Sequence, residues 1–295
     1  MSETSTLELS RVAWPGADAR SAPTLSAQSS AQRVGLVGAW TPLFRALTHQ
    51  APFASGSATV LGCPFEAALA RGVVGFAPCD PALPAAFTVS EYLRHAARLT
   101  HGSPSRAAHE VRQTLERLQL GALAPRTLSR LAPFERRALG IAAAALTNPA
   151  VICLESPLRG LDAPAADYVA DLCLEAARHS RLLVSSERPS TPSAERTLLD
   201  QCDDLLVLDD DGRLTRGTPE AIFAPSGRYL MTVKGSAIPA FAAALGAAHC
   251  RLAPGHAPGS YAIELPGDST TDLLLDTALS HDLIVLELTP LFGSA

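Results

Sequence analysis

Between Asn148 and Ala163 the chain reads NPAVICLESPLRGLDA, and a carboxylate and a hydroxyl, Glu155 and Ser156, stand side by side after the apolar run Val151 to Leu154. Pro157 and a Gly160-Leu161-Asp162 turn follow. A serine nucleophile needs a neighbouring base to take its proton. No histidine is placed beside Ser156, and Glu155-Ser156-Pro157 lacks the flanking glycines of a nucleophile elbow, so serine-hydrolase chemistry is excluded. Six cysteines stand singly at 63, 79, 153, 173, 202 and 250, and the eight histidines show no ligand spacing, which argues against zinc and for buried free thiols in a reducing compartment. Lys234 is the only lysine, so no lysine is available to a phosphate-binding loop near the N-terminus.

The elements that must position these residues are short. Leu7 to Trp14 reads as a first strand, followed by a Ser/Ala/Pro-rich passage to Gln32 with little expected structure. Val34–Gly38, Ala58–Leu61, Val73–Ala77, Val151–Leu154, Leu182–Ser186 and Leu205–Leu208 read as strands, with Asp209 to Gly212 as a hairpin turn. Helices are expected from Leu43, Thr88, Ser103, Ala138 and Asp162. Thr88-Val89-Ser90-Glu91 has the pattern of a capping box, in which hydroxyl and carboxylate reciprocally satisfy free backbone N–H groups. Short apolar strands alternating with helices predict an α/β core with a largely parallel sheet. After Pro225 the pattern restarts as β-α-β-β-α-β between Arg228 and Leu288, which predicts a second, ferredoxin-like α+β module. The expected domains are residues 1–225 and 226–295.

A hydrophobic content of 47% with 18% charged residues describes a core-forming chain. The net charge of −5 and the absence of basic runs give no reason to expect a nucleic-acid partner. No stretch approaches the roughly 20 apolar residues of a membrane span, and the N-terminus lacks the basic start and apolar core of a secretion signal.

From about Leu7 to Phe223 the chain resembles the ATP-binding cassette (ABC) ATPases, most closely the ABC-2-type export or gliding-motility-associated subgroup, which often carries a small C-terminal domain. The resemblance implies a P-loop NTPase-like ABC core with a helical subdomain. It also implies ATP with magnesium as cofactor, and as partners a multi-span membrane permease and a second ABC subunit in a dimer. The implied location is cytoplasmic, peripheral on the inner face of the membrane. The family's functional positions map onto this sequence one by one. Trp14 stands where an aromatic stacks on adenine, with burial in the first sheet as the other reading. The phosphate loop corresponds to Gly35, Gly38 and Thr41, but Ala39, Trp40 and Pro42 leave it short and without its lysine. Thr41 then either mimics the magnesium-binding hydroxyl or caps the helix. Cys79, in Gly75-Phe76-Ala77-Pro78-Cys79-Asp80-Pro81, replaces the glutamine that watches metal and γ-phosphate.

The signature segment that binds the opposite subunit's nucleotide corresponds to Leu131-Ala132-Pro133-Phe134-Glu135, followed by Arg136 and Arg137, expected to cover the helix surface. Ala132 lacks the hydroxyl and Pro133 lacks an N–H. At the catalytic corner Glu155 could hold a magnesium-bound water, while Ser156 replaces the glutamate that polarises attacking water. Glu187 replaces the switch histidine, and Asp162 ends the D-loop. The Thr88, Glu91, Tyr92 and Leu93 region keeps family-like residues near the groove that receives the membrane subunit. The combined reading is an ABC subunit with little or no ATP hydrolysis. The alternatives are a weakly active ATPase working with a competent partner, and a soluble scaffold reusing the fold.

Overall fold

The structure, a computed structural model, describes residues 4–13, 24–48, 50, 53–101, 103–187, 189, 193–209, 212–223, 227–255, 259–266 and 269–290. It divides into two compact units, Met1–Pro219 and Glu220–Ala295. The break expected at residue 226 lies outside the described residues, and the division falls ahead of it.

In the first unit, β1 (Leu7–Ala13), β2 (Leu25–Ser29), β4 (Ser55–Val60) and β5 (Cys63–Pro64) form an antiparallel sheet in the order β2-β1-β4-β5. Strand β2 falls in the passage expected to have little structure. Its Leu-Ser-Ala-Gln-Ser run is too weakly apolar to announce a strand, and pairing with β1 over Leu7↔Ser29 to Val12↔Leu25 supplies the order. A second sheet runs β10-β9-β3-β8-β7-β6, from β3 (Arg33–Gly38), β6 (Val74–Ala77), β7 (Val151–Leu154), β8 (Arg181–Ser186), β9 (Asp204–Leu208) and β10 (Leu214–Gly217). All its pairings are parallel except that of the edge strand β10 with β9. Every residue of β7 is buried, as in a parallel strand covered on both faces. Leu7, Val34, Leu36, Trp40, Phe44, Val60, Phe65, Cys153 and Leu206 share one core cluster drawn from both sheets and from helix α1 (Thr41–Leu47).

Helix α2 (Phe65–Ala70) follows β5, and a helical segment is built from α3 (Val89–His101) and α4 (Pro104–Arg117). The capping box at α3 forms: the Thr88 N–H donates to Glu91 Oε2 at 2.8 Å and the Glu91 N–H donates to Thr88 Oγ1 at 3.2 Å. Helix α5 (Pro133–Ala145) starts five residues ahead of the expected Ala138 and lies so close to β6 that Gly75 admits no side chain: a Cβ there would meet the Ala144 carbonyl oxygen at 1.8 Å. Helix α6 (Ala163–Ala176) follows β7, and the short α7 (Ala194–Leu199) precedes β9. Helix α8 (Pro219–Ile222) spans the division between the units.

The second unit contains β11 (Arg228–Lys234), α9 (Ile238–Ala247), β12 (Arg251–Pro254), β13 (Ser260–Glu264), α10 (Thr271–Ser280) and β14 (Ile284–Pro290). Its antiparallel sheet has the order β12-β13-β11-β14, a split β-α-β arrangement. Met231, Val233, Phe241, Leu245, Ile263 and Leu274 form a core of its own.

Candidate functional site

The carboxyl ends of parallel strands are where an α/β sheet offers a crevice to ligands. Here a cleft of about 340 Å³ is lined by Gly38, Ala39, Trp40, Thr41, Pro42, Ser156, Ser185 and Glu187. The fold thus brings together the ends of β3, β7 and β8, which are far apart in the sequence. Gly38 has φ +102°, and a Cβ there would meet the Leu208 carbonyl oxygen at 2.1 Å, so only glycine fits. The turn from β3 to α1 is tight: the Trp40 N–H donates to Gly38 O at 2.9 Å, and its indole Nε1–H donates to Val37 O at 3.0 Å. Trp40 is 1% exposed. The N–H groups of Leu43 and Phe44 both donate to Trp40 O, and Pro42 has none. Thr41 is therefore the first helical residue rather than the cap, and the capping position is Trp40, with no side-chain bond. Gly35 is not part of the turn. It lies inside β3, paired with Val184 and Leu205, where a Cβ would strike the side chains of Leu205 and Leu199.

At the end of β7, Ser156 has φ +41°, a strained conformation for a residue with a side chain. Its N–H donates to Ser185 Oγ at 2.9 Å, and the two hydroxyl oxygens are 3.4 Å apart. Among the described residues, the Ser156 hydroxyl is bonded to no base. Half-buried Glu155 accepts the Cys79 N–H at 3.4 Å. Burial raises its pKa, opposed by the Cys79 N–H and by the charges of Arg159, Arg45 and Arg137. The Cys79 thiol, itself buried, is likewise pushed up by desolvation, against the lowering influence of Arg137 and Arg159, and is a protonated, weakly reactive group. Glu187 pairs with Arg159 at 3.3 Å. Both are substantially exposed, so the pair adds little stability, but it neutralises the carboxylate at the cleft edge.

No family model matches the chain. An uncharacterized ABC transporter ATP-binding protein of Bacillus subtilis, YxlF, is 29% identical over 132 residues, covering 45% of this chain and 44% of that protein. The Nod factor export ATP-binding protein I of Mesorhizobium japonicum is 30% identical over 171 residues, covering 57% of this chain and 48% of that protein. The chain spans about half the length of the curated relatives it matches. Among solved structures, cbiO1 from Clostridium perfringens, part of the ABC transporter complex cbiONQ, superposes with a TM-score of 0.62 at 18% identity, covering 75% of this chain and 92% of that one. The ATP-binding subunit of another ABC transporter gives 0.59 at 18%, covering 74% and 91%. About three quarters of the chain has the ABC ATPase fold. The homologues of the chain are ABC transporter ATP-binding proteins.

Within this ABC ATPase core, the predicted site residues Gly35, Cys79, Glu155, Ala132 and Asp162 are not among those lining the cleft. Asp162 is the N-cap of α6, its Oδ1 accepting the Ala165 N–H at 3.0 Å. Ala132 is the N-cap of α5 and has no side-chain acceptor. The cap is made by Glu135, whose Oε2 accepts the Ala132 N–H at 2.8 Å while Oε1 bonds the Arg126 guanidinium. The carboxylate of the chain itself thus occupies the positive end of the helix that an external anion would need. Replacing Glu135 with alanine removes the ion-pair partner of Arg126, which keeps its bond to Arg130 O, and uncaps α5. Chemical denaturation is expected to show a loss of about 0.5–2 kcal/mol, the range for a lost cap. Phe134 closes the same turn with an edge-on contact to Tyr168. Trp14 lies outside the described residues.

Arginines were the residues the sequence concealed. Arg137, expected on the helix surface, has a side chain only 11% exposed; its Nη1 lies 3.2 Å from Asp80 Oδ1 and its Nη2 donates to Arg159 O at 3.4 Å. With Arg159 and Arg45 it lowers the pKa of Glu155, against the effect of burial. Nothing in their spacing marks them, because they converge from α1, α5 and the turn after β7.

Proposed function

We propose that the chain is an ABC-fold subunit of a membrane transport complex, docking on a multi-span partner and contributing little or no ATP hydrolysis. The observation that carries this reading is the turn between β3 and α1. A triphosphate needs a wide glycine-rich loop of free N–H groups and a lysine. Here Gly38 leads through Trp40 into α1, the Leu43 and Phe44 amides are already bonded to Trp40 O, and Pro42 has no N–H. The residues around the cleft do not fit Mg-ATP. Glu155 accepts the Cys79 N–H and feels the positive charges of Arg159, Arg45 and Arg137, a poor arrangement for a magnesium ligand. The switch position carries Glu187, paired with Arg159, and offers no donor to a γ-phosphate.

Docking on a membrane partner is supported by the relatives, one of which is named for Nod factor export and another of which is part of a transporter complex. It is also supported by the family-like residues kept from Thr88 to Leu93, held in place by the α3 capping box. Among the described residues no helix is long and apolar enough to cross a membrane, so attachment would run through that partner. The Glu220–Ala295 unit is read as an accessory domain. Native expression followed by fractionation tests the proposal. The chain is expected to sediment with membranes, withstand a low-salt wash and co-purify with a multi-span protein in mild detergent. Recovery entirely in the soluble fraction without such a partner would overturn it in favour of a free scaffold.

A further inference from the structure

In the Glu220–Ala295 unit the sheet order β12-β13-β11-β14 leaves two edges, and they differ. Strand β12 runs only from Arg251 to Pro254, and a short strand that carries a cation and ends in proline is a blunted edge. Strand β14 spans seven residues without a lysine or arginine, and among the described residues it pairs with β11 alone. Its outer backbone N–H and C=O groups are open to another strand. Val285 and Leu288 turn into the core, whereas Ile284 and Leu286 are each 62% exposed. The register passes from Val233↔Val285 to Thr232↔Glu287, so Leu286 is the extra residue of a bulge, a device that re-aims a side chain. Helix α10 packs against β14 and adds Leu275 and Leu279, one turn apart and 42% and 75% exposed. Four of the seven exposed large apolar side chains among the described residues thus lie on these two elements, the mark of an interaction surface. The same stretch is acidic: residues 269–295 contain Asp272, Asp276, Asp282 and Glu287 and no lysine or arginine. The register with β11 brings one cation, Lys234, opposite Ile284.

We propose that the β14 edge receives an extended, Lys/Arg-rich segment of the membrane partner, added to the sheet as a further strand. This rests on the transport-complex reading above. The open edge supplies main-chain bonds, Ile284 and Leu286 meet alternate side chains of the incoming strand, and the surrounding carboxylates select basic residues. A second copy of this chain is the wrong occupant. Pairing β14 with β14 would bring two sets of the same carboxylates together, and like charges facing across strands are destabilising. An anionic lipid surface would be repelled in the same way. Cytoplasmic loops of membrane proteins carry an excess of lysine and arginine close to their spans, so a multi-span partner holds the kind of segment this edge selects.

Fluorescence anisotropy of the full chain tests the edge with three labelled, end-capped peptides: lysine alternating with valine, glutamate alternating with valine, and the lysine peptide with proline at its central valines. Saturable binding of the first is expected, with both others weaker by about tenfold or more. Each exposed ion pair is weak, but the glutamate peptide turns several attractions into repulsions at once. Proline removes N–H groups that an added strand needs. Leu286→Lys, checked for folding by circular dichroism, is expected to weaken the lysine peptide by a similar factor. Leu99→Lys, at a 90% exposed position on α3, is expected to leave it unchanged. In native membranes, the full chain carrying Leu286→p-benzoylphenylalanine is expected to photo-crosslink to a Lys/Arg-rich cytoplasmic segment of a multi-span protein. The proposal is overturned by no saturable binding of the lysine peptide, by equal affinity for either control peptide, or by unchanged affinity in Leu286→Lys. Crosslinks only to a second copy or to soluble proteins overturn it as well. A chain that sediments with membranes yet fails these tests loses the edge site alone, whereas recovery in the soluble fraction removes the transport reading whatever the peptides show.

Discussion

Titration of the full chain with Mg-ATP is expected to give no saturable heat at micromolar nucleotide. Charge-assisted contacts contribute about 1.5–3 kcal/mol each. The cleft lacks a lysine, the switch position carries Glu187 paired with Arg159, and the turn amides of Leu43 and Phe44 are bonded to Trp40 O. Losing about three such contacts removes roughly 5–9 kcal/mol, or at least about a thousandfold in affinity. The start of α5, closed by Glu135, offers nothing in return. Restoring a glutamate with Ser156→Glu is expected to leave hydrolysis at the background rate, because a general base without a bound substrate has nothing to activate. Low-micromolar binding at one site per chain, or turnover in the variant, would show that the cleft reorganises around nucleotide.

The largest expected effect on stability comes from Gly75→Ala. The added methyl would lie 1.8 Å from the Ala144 carbonyl oxygen and 2.7 Å from its carbon, both backbone atoms of α5. No rotamer change relieves that clash. Helix α5 must move off β6, opening a core that includes Ala138, Leu139, Ile141 and Ala142. A loss of about 3 kcal/mol or more is expected, at the upper end of overpacking costs. It would be measured as a shift of the urea midpoint of the core. Gly121→Ala is the control, since a Cβ there meets nothing within 4 Å, and its effect is expected to stay within about 0.5 kcal/mol. Equal midpoints for the two variants would mean that the β6–α5 contact is looser than the backbone separation indicates.

Local signals placed most of the elements that support the cleft. The Thr88–Glu91 capping box and the Asp162 cap are bonds between residues three apart, and the chain makes them wherever it is helical. The all-apolar run of β7 needs only burial on both faces. Elements without such a signal were missed. Strand β2 gains its order from β1, and α2 and α7 are each six residues long, too short for a helical stripe to repeat.

By itself the sequence determined the ABC-like succession of strands and helices, the absence of a phosphate-loop lysine, and the loss of an N–H at Pro42 and at Pro133. These follow from residue identity, which no folding can change. Only the tertiary structure decided what occupies the vacated positions. It placed Thr41 within α1 rather than at its cap, and turned the Trp40 indole back on Val37. It also brought the charges of Arg45, Arg137 and Arg159, from three separate elements, to bear on Glu155. The physical reason is range. Caps and strand runs are bonds between near neighbours, whereas the charge and shape of the cleft arise where the ends of β3, β7 and β8 meet in one parallel sheet.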